Sequence, residues 1–237
     1  MRKTIIVGGT SGIGRELAKI MAGAGYAVGV CGRRPELLQK LRNEFPGKIF
    51  TKQLDVVQPQ AMGQLKELIT EMGGTDLVVI SAGTGDLNKD LDWKIEKDTI
   101  DVNVIGFAAM ANVAFEHFRD KGRGHLVGIS SIAAIRGGGA APAYNASKAF
   151  VSNYLEGLRQ KVSKLRLAIT VTDIMPGLVD TPMAKGEGLF WVAPTEKAAR
   201  QIFEAIEKGK SHAYITKRWR LIAWLLKTLP DSLYKKL

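Results

Sequence analysis

The chain has 237 residues, 46% of them hydrophobic and 24% charged, the length and balance of one α/β domain with a large core. A single cysteine, Cys31, excludes an internal disulfide framework, and beside the scattered His117, His125 and His212 it offers no zinc-ligand spacing. No apolar run reaches the roughly 18 residues of a membrane span, and the formal charge of +11 is concentrated in residues 208–237, where eight Lys/Arg against Asp231 alone hold +7 of the total.

Thr4–Val7 is a short β-branched run, too short for a signal-peptide core, so a cytoplasmic protein is expected. It runs into Gly8-Gly9-Thr10-Ser11-Gly12-Ile13-Gly14 and then a helical pattern over 13–24. Glycines between a first strand and a first helix let the backbone turn tightly and approach a pyrophosphate, which the helix N-terminus favours. The spacing is G-x-x-x-G-x-G, with the same physical logic as the commoner G-x-G-x-x-G.

The second strand, Ala27–Cys31, ends in Gly32-Arg33-Arg34-Pro35 ahead of a helix over 35–44. A dinucleotide site that prefers NAD(H) places a carboxylate about here for the ribose hydroxyls. Two guanidinium groups instead suit a 2′-phosphate, so NADP(H) is expected in preference to NAD(H). The competing reading makes Arg33 and Arg34 a solvated helix start. Cys31 reads as a small packing residue.

Further strands follow at Ile49–Gln53, Leu77–Ile80, His125–Ser130 and Leu167–Ile174, with a weaker Ala213–Thr216. They alternate with helical patterns near 58–72, 96–120, 143–163 and 195–208. Continuously apolar strands alternating with helices predict a single doubly wound, Rossmann-type parallel sheet of about seven strands, covered on both faces. The strands end in Gly8–Gly14, Gly32–Arg34, Asp55, Ser81–Gly83, Ser130-Ser131 and Pro176-Gly177, at the rim where such sheets bind ligands.

Within the helix over 143–163, Tyr144 and Lys148 are four residues apart and share one face. A fixed positive charge beside a phenol favours the phenolate and brings its pKa towards the working range. Tyr and Lys at this spacing also occur by chance, with Lys148 on a solvated face, Ser131 as a strand cap and Asn103 as a satisfied helix polar group.

With these residues assembled, the chain resembles the classical short-chain dehydrogenase/reductase family over nearly its whole length. The glycine turn matches, with Val7 where the family often has threonine. So do Asp101-Val102-Asn103-Val104, Ile129-Ser130-Ser131 placed thirteen residues before Tyr144, and Pro176-Gly177-Leu178-Val179-Asp180-Thr181. Ile80-Ser81-Ala82-Gly83 departs from the family's Asn-Asn-Ala-Gly, keeping the Ala-Gly that lets a cofactor lie close and losing amides that brace the sheet.

The resemblance implies that Ser131 positions a substrate oxygen and that Tyr144 donates or removes its proton. It also implies that Lys148 lowers the Tyr144 pKa and holds the nicotinamide ribose, with Asn103 anchoring a proton-relaying water. It places Thr181 and the Val179 backbone on the nicotinamide carboxamide and Asp55 near the adenine, with the rest of the cofactor surface formed by Gly8, Thr10, Ser11, Gly12, Ile13, Gly14, Ala82, Gly83, Pro176 and Gly177. The function expected is NADP(H)-dependent interconversion of a ketone or aldehyde and an alcohol. A dinucleotide-binding protein of low turnover, or a membrane-peripheral protein acting through its tail, are the rivals.

Residues 182–192 lie where the family keeps a substrate lid, and Gly137–Gly139 with Ala140 and Ala141 leave little polar chemistry near the reacting carbon. A lipophilic or open pocket follows. By resemblance, a homodimer or homotetramer would pair through the helices over 96–120 and 143–163. The tail over 218–237 lacks a nucleic-acid module. Its segment 218–229, with Trp219 and Trp224 among leucines and cations, reads either as a helix that covers the substrate site or packs in a subunit interface, or as an anchor on an anionic membrane surface.

Overall fold

A computed structural model describes residues 1–183 and 190–235. Seven strands form one sheet: β1 (Lys3–Val7), β2 (Ala27–Gly32), β3 (Ile49–Gln53), β4 (Leu77–Ile80), β5 (Arg123–Ile129), β6 (Ala168–Pro176) and β7 (His212–Ile215). Their order is β3-β2-β1-β4-β5-β6-β7 and every pairing is parallel. The order therefore reverses between β1 and β4, the switch point at which the helices leave for opposite faces and a crevice opens above the strand ends.

Helices α1 (Gly12–Gly23), α2 (Pro35–Glu44) and α7 (Thr195–Glu207) cover one face. Their apolar stripes (Leu17 and Met21, Leu38 and Leu41, Ile202 and Ile206) bury against Ile6, Val28, Val30 and Val79. Helices α3 (Ala61–Glu71), α5 (Phe107–Lys121) and α6 (Pro142–Leu165) cover the other, with Leu65, Met110, Phe118 and Leu155 against Ile5, Val78 and Leu126. Both faces of the central strands are thus removed from water, which is why they are apolar at most positions rather than alternating.

The helix expected over 96–120 begins earlier and is not uniform. α4 (Trp93–Ile100) starts where the Asp92 carboxylate accepts a hydrogen bond from the Lys94 backbone N–H at 2.7 Å, a cap that fixes the start ahead of the apolar stripe. A π-helical turn over Asp101–Gly106 then joins α4 to α5. Such a turn inserts an extra residue into the helical ladder and re-aims the side chains within it; here it carries Asn103. The chain closes with α8 (Trp219–Thr228) and the short α9 (Asp231–Tyr234).

Candidate active site

The wall of the crevice beneath β1 is set by close backbone approach. Gly8 has φ +88°, and a Cβ there would sit 2.4 Å from the Ala82 backbone nitrogen. A Cβ at Gly14 would sit 2.3 Å from the Gly8 carbonyl oxygen, so Gly14 packs the turn from behind rather than facing the crevice. α1 starts at Gly12 with Ser11 at its N-cap; no side chain caps it and no acid stands in its first turn, which leaves the N-terminal N–H groups available to an anion. The Ser11 and Thr10 hydroxyls instead accept hydrogen bonds from Arg34 Nη2, at 2.8 and 2.9 Å. That places the Arg34 guanidinium against the glycine turn, and Arg33 beside it is exposed.

Across the crevice, Ser131 follows β5 at the start of a 3₁₀ turn (Ile132–Ala134), and its Oγ accepts the Ala133 N–H at 3.1 Å. Pro142 at the first turn of α6 fixes the helix start, and Tyr144 and Lys148 follow on its inner face. The Ser131 hydroxyl donates to the Pro176 carbonyl at 3.4 Å and stands beside the Tyr144 phenol, whose pKa it pulls down. Lys148 is buried; its Nζ lies 5.7 Å from the centre of the Tyr144 ring and donates to the Ile129 carbonyl at 3.2 Å. A Cβ on Gly83 would come within 3.2 Å of that Nζ and 3.3 Å of Asn103 Oδ1, so an uncluttered backbone is required there.

The electrostatics correct one expectation. Burial pushes the Tyr144 phenol above its ordinary pKa, and the opposing pull comes from the Ser131 hydroxyl rather than from Lys148. Lys148 is itself pushed down to about 8 by burial, with the Asp173 carboxyl group working the other way. Spacing on a helix correctly puts the two side chains together, but it carries no information about how much water both lose.

Asn103 does not line the crevice. Its amide accepts from the Thr84 N–H at 2.9 Å and donates to the Thr84 carbonyl at 2.7 Å and to Ser147 Oγ at 3.0 Å, clamping the strand-β4 loop to α6. Gly8, Thr10, Ser11, Gly12, Ile13, Arg33, Arg34, Asp55, Ala82, Gly83, Ser131, Tyr144, Lys148, Pro176, Gly177, Val179 and Thr181 all line one cleft of about 670 Å³. Of the sequence-nominated residues, only Gly14 and Asn103 stand behind its wall.

Several contributors escape sequence reading. Asp173 on β6 is fully buried, accepts a hydrogen bond from the Ser130 hydroxyl, and has His212 Nδ1 3.6 Å from its other oxygen. Gly85 lies so close to the Tyr144 ring that a Cβ would meet Cδ2 at 2.3 Å. Trp219, the first residue of α8, packs its indole on Gly177, where a Cβ would fall 2.0 Å from the ring. A G-x-G pattern at Gly83 and Gly85 could have flagged the second, and the reading of 218–229 as a cover over the substrate site anticipates the third.

The apolar end of the cleft is formed by Leu87, Ile132, Ala133, Ala141, Pro182 and Met183. Of the stretch expected near the reacting carbon, Ala141 lines the cleft while Gly137–Gly139 turn away: the Gly137 carbonyl accepts from the Tyr234 hydroxyl, and Gly138 packs on Asn145. Of the expected lid, residues 184–189 lie outside the described residues. Phe190 and Trp191 follow, with ring centres 5.4 and 6.1 Å from that of Trp219.

Comparison with known proteins agrees with this layout. The sequence model described as short chain dehydrogenase matches residues 2–189. An uncharacterized oxidoreductase of Myxococcus xanthus is 34% identical, covering 98% of this chain and 94% of its own. Another from Mycobacterium tuberculosis is 30% identical over 99% and 96% of the two chains. Among solved structures, a short-chain dehydrogenase from Streptomyces avermitilis superposes with TM-score 0.83 at 24% identity, covering 100% of this chain and 95% of its own. One from Sphingobium yanoikuyae in complex with NADPH gives 0.81 at 19% identity, over 98% of both chains. A parallel sheet with its switch point under a glycine turn, a Ser131–Tyr144–Lys148 cluster across the crevice and a family match over most of the sequence make this chain an oxidoreductase of the short-chain dehydrogenase family.

Proposed function

We propose that the protein is an NADP(H)-dependent oxidoreductase that interconverts a ketone or aldehyde and its alcohol, with Tyr144 as the proton donor in the reducing direction. The observation that carries this reading is that the Ser131 hydroxyl, the Tyr144 phenol and the buried Lys148 line the same cleft as an uncapped helix N-terminus flanked by two arginines. The residues fit a nicotinamide dinucleotide. Gly8, Gly12 and Gly83 line the cleft without side chains, and the N-terminus of α1 with Arg33 and Arg34 receives phosphate. The NADP⁺- and NADPH-bound structures of a serine dehydrogenase and of the Sphingobium enzyme, which share this fold, support the same choice.

When bound, the cofactor supplies or accepts hydride at the nicotinamide. The chain does the rest. The Ser131 hydroxyl holds the carbonyl oxygen in reach of the Tyr144 phenol, and the phenolic proton passes to that oxygen as negative charge develops on it. Lys148 stands behind to balance the phenolate that remains, and Asn103 holds the strand-β4 loop against α6 so that Gly83 stays open to the cofactor. The apolar wall of Leu87, Ile132 and Met183 suits a lipophilic carbonyl compound. A homodimer or homotetramer joined through the outer faces of α5 and α6, where Phe150 and Tyr154 stack at 5.5 Å, completes the reading.

Steady-state oxidation of NADPH and NADH against a panel of lipophilic ketones and aldehydes tests the cofactor assignment. NADPH is expected to be preferred by at least about tenfold in kcat/KM, and Arg34→Ala to remove about tenfold of that preference while leaving NADH use nearly unchanged. Equal use of both cofactors by the unaltered protein would refute it.

A further inference from the structure

Helix α8 has two apolar faces, and the fold uses one. Trp219 and Ala223 are buried on the domain at 4% and 1% exposure. On the opposite side, Leu221, Trp224 and Leu225 stand 66%, 67% and 47% exposed. Their i, i+3, i+4 spacing makes them one strip. Arg220 and Lys227, seven residues apart, run along one flank of this strip and Arg218 lies on the other.

The strip is held outward, not frayed. At one end Trp219 is wedged on Gly177; at the other, Arg136 donates to the Leu229 carbonyl and pairs with Asp231, while its guanidinium lies 4.4 Å over the Tyr234 ring. The turn carrying the half-exposed Phe190, Trp191 and Val192 adjoins the helix, tied by Arg218, which stacks on the Trp191 ring and donates to its carbonyl at 2.9 Å.

We propose that the exposed face of α8, together with the Phe190–Val192 turn, docks the protein on a bilayer surface rich in anionic phospholipid. An apolar strip rimmed by cations is the arrangement that lies in a membrane interface, with indoles at headgroup depth and Arg and Lys reaching the phosphates. Charge complementarity selects this occupant. Asp231, the one acid of the tail, is paired with Arg136, whereas Lys217, Arg220 and Lys227 form no ion pair among the described residues. A second copy of this chain would bring the same cations face to face around a two-fold axis, and the one acid the tail could set against them, Asp231, is already paired with Arg136. Because Gly177 lines the cleft and carries Trp219, docking sets the cleft mouth beside the lipid, where, if the reductase reading holds, a lipophilic carbonyl compound would be found.

Sedimentation with vesicles tests this independently of any turnover. Vesicles of phosphatidylcholine with about a third phosphatidylglycerol should bind the protein at least about tenfold more tightly than phosphatidylcholine alone, with a blue shift of tryptophan emission. Leu221→Asp/Trp224→Asp should lose at least about tenfold of that binding, and Arg220→Glu/Lys227→Glu should abolish the preference for anionic lipid. All four side chains are exposed, and unchanged melting of both variants confirms that they are folded. Failure to bind either vesicle overturns the proposal, as does undiminished binding by both variants. Light scattering that shows the unaltered protein dimerising through this face, lost in Leu221→Asp/Trp224→Asp, also overturns it in favour of a second copy.

Discussion

At the residue scale, the chemistry of the site rests on how burial and the Ser131 hydroxyl oppose each other around one phenol. Burial raises the Tyr144 pKa and so keeps the phenol protonated at neutral pH, the state required of a proton donor in carbonyl reduction. The same burial drives Lys148 down to about 8, against an ordinary value of 10.5, and the Asp173 carboxyl group is what resists it. Lys148 is therefore charged below about 8 and loses its proton as pH rises through that value. It follows that kcat/KM for reduction should fall on the alkaline side of about 8. Replacing Asp173 by Asn should move that limb down by roughly one pH unit, since the supporting negative charge is gone. A pH profile of NADPH-dependent reduction decides it; superimposable limbs would remove Asp173 from the account. Tyr144 and Lys148 were readable from their helical spacing, and Ser131 from the family resemblance, which supplies the thirteen-residue interval to Tyr144. Asp173 was not, because along the chain it is one of three polar residues, with Thr170 and Thr172, in an otherwise apolar strand. Only the β5–β6 and β6–β7 registers bring it to Ser130 and His212.

At the scale of elements, the same contrast recurs. The strands and the helices that cover them were legible because burial on both sides demands apolar residues at nearly every strand position and a 3.6-residue stripe on each helix. The π turn over Asp101–Gly106 left no such trace: it preserves the apolar stripe of the long helix while re-aiming Asn103. The seating of α8 was equally hidden, since a helix apolar on most of its circumference does not say which side is buried. The structure gives the inner side to Trp219, stacked on Gly177 and within 6.1 Å of the Trp191 ring centre. Trp219→Ala should lower unfolding free energy by about 3 kcal/mol, at the lower end for a buried tryptophan because its indole N–H has no partner to lose. Denaturant unfolding measures the loss, and a change under about 0.5 kcal/mol would mean that α8 contributes little to the fold.

At the scale of the whole molecule, the switch point between β1 and β4 explains why residues from positions 7 to 183 meet in one cleft. Strand ends that are distant in sequence are neighbours only above that reversal, so the rim residues of β1, β2, β4, β5 and β6 converge there without any one of them being unusual alone. Charge is arranged at the same scale: Trp219 packs on the cleft residue Gly177, so α8 of the basic tail lies beside the cleft. The α1 N-terminus, Tyr144 and the apolar side chains of Leu87, Ile132 and Met183 all line that cleft, and the central claim is the proposal that Tyr144 is the proton donor. NADPH oxidation by Tyr144→Phe, set beside NADPH binding by the same variant, tests that claim most directly. The account predicts a loss of at least about a hundredfold in turnover with NADPH affinity within about threefold of the unaltered protein. Turnover close to that of the unaltered protein would contradict it.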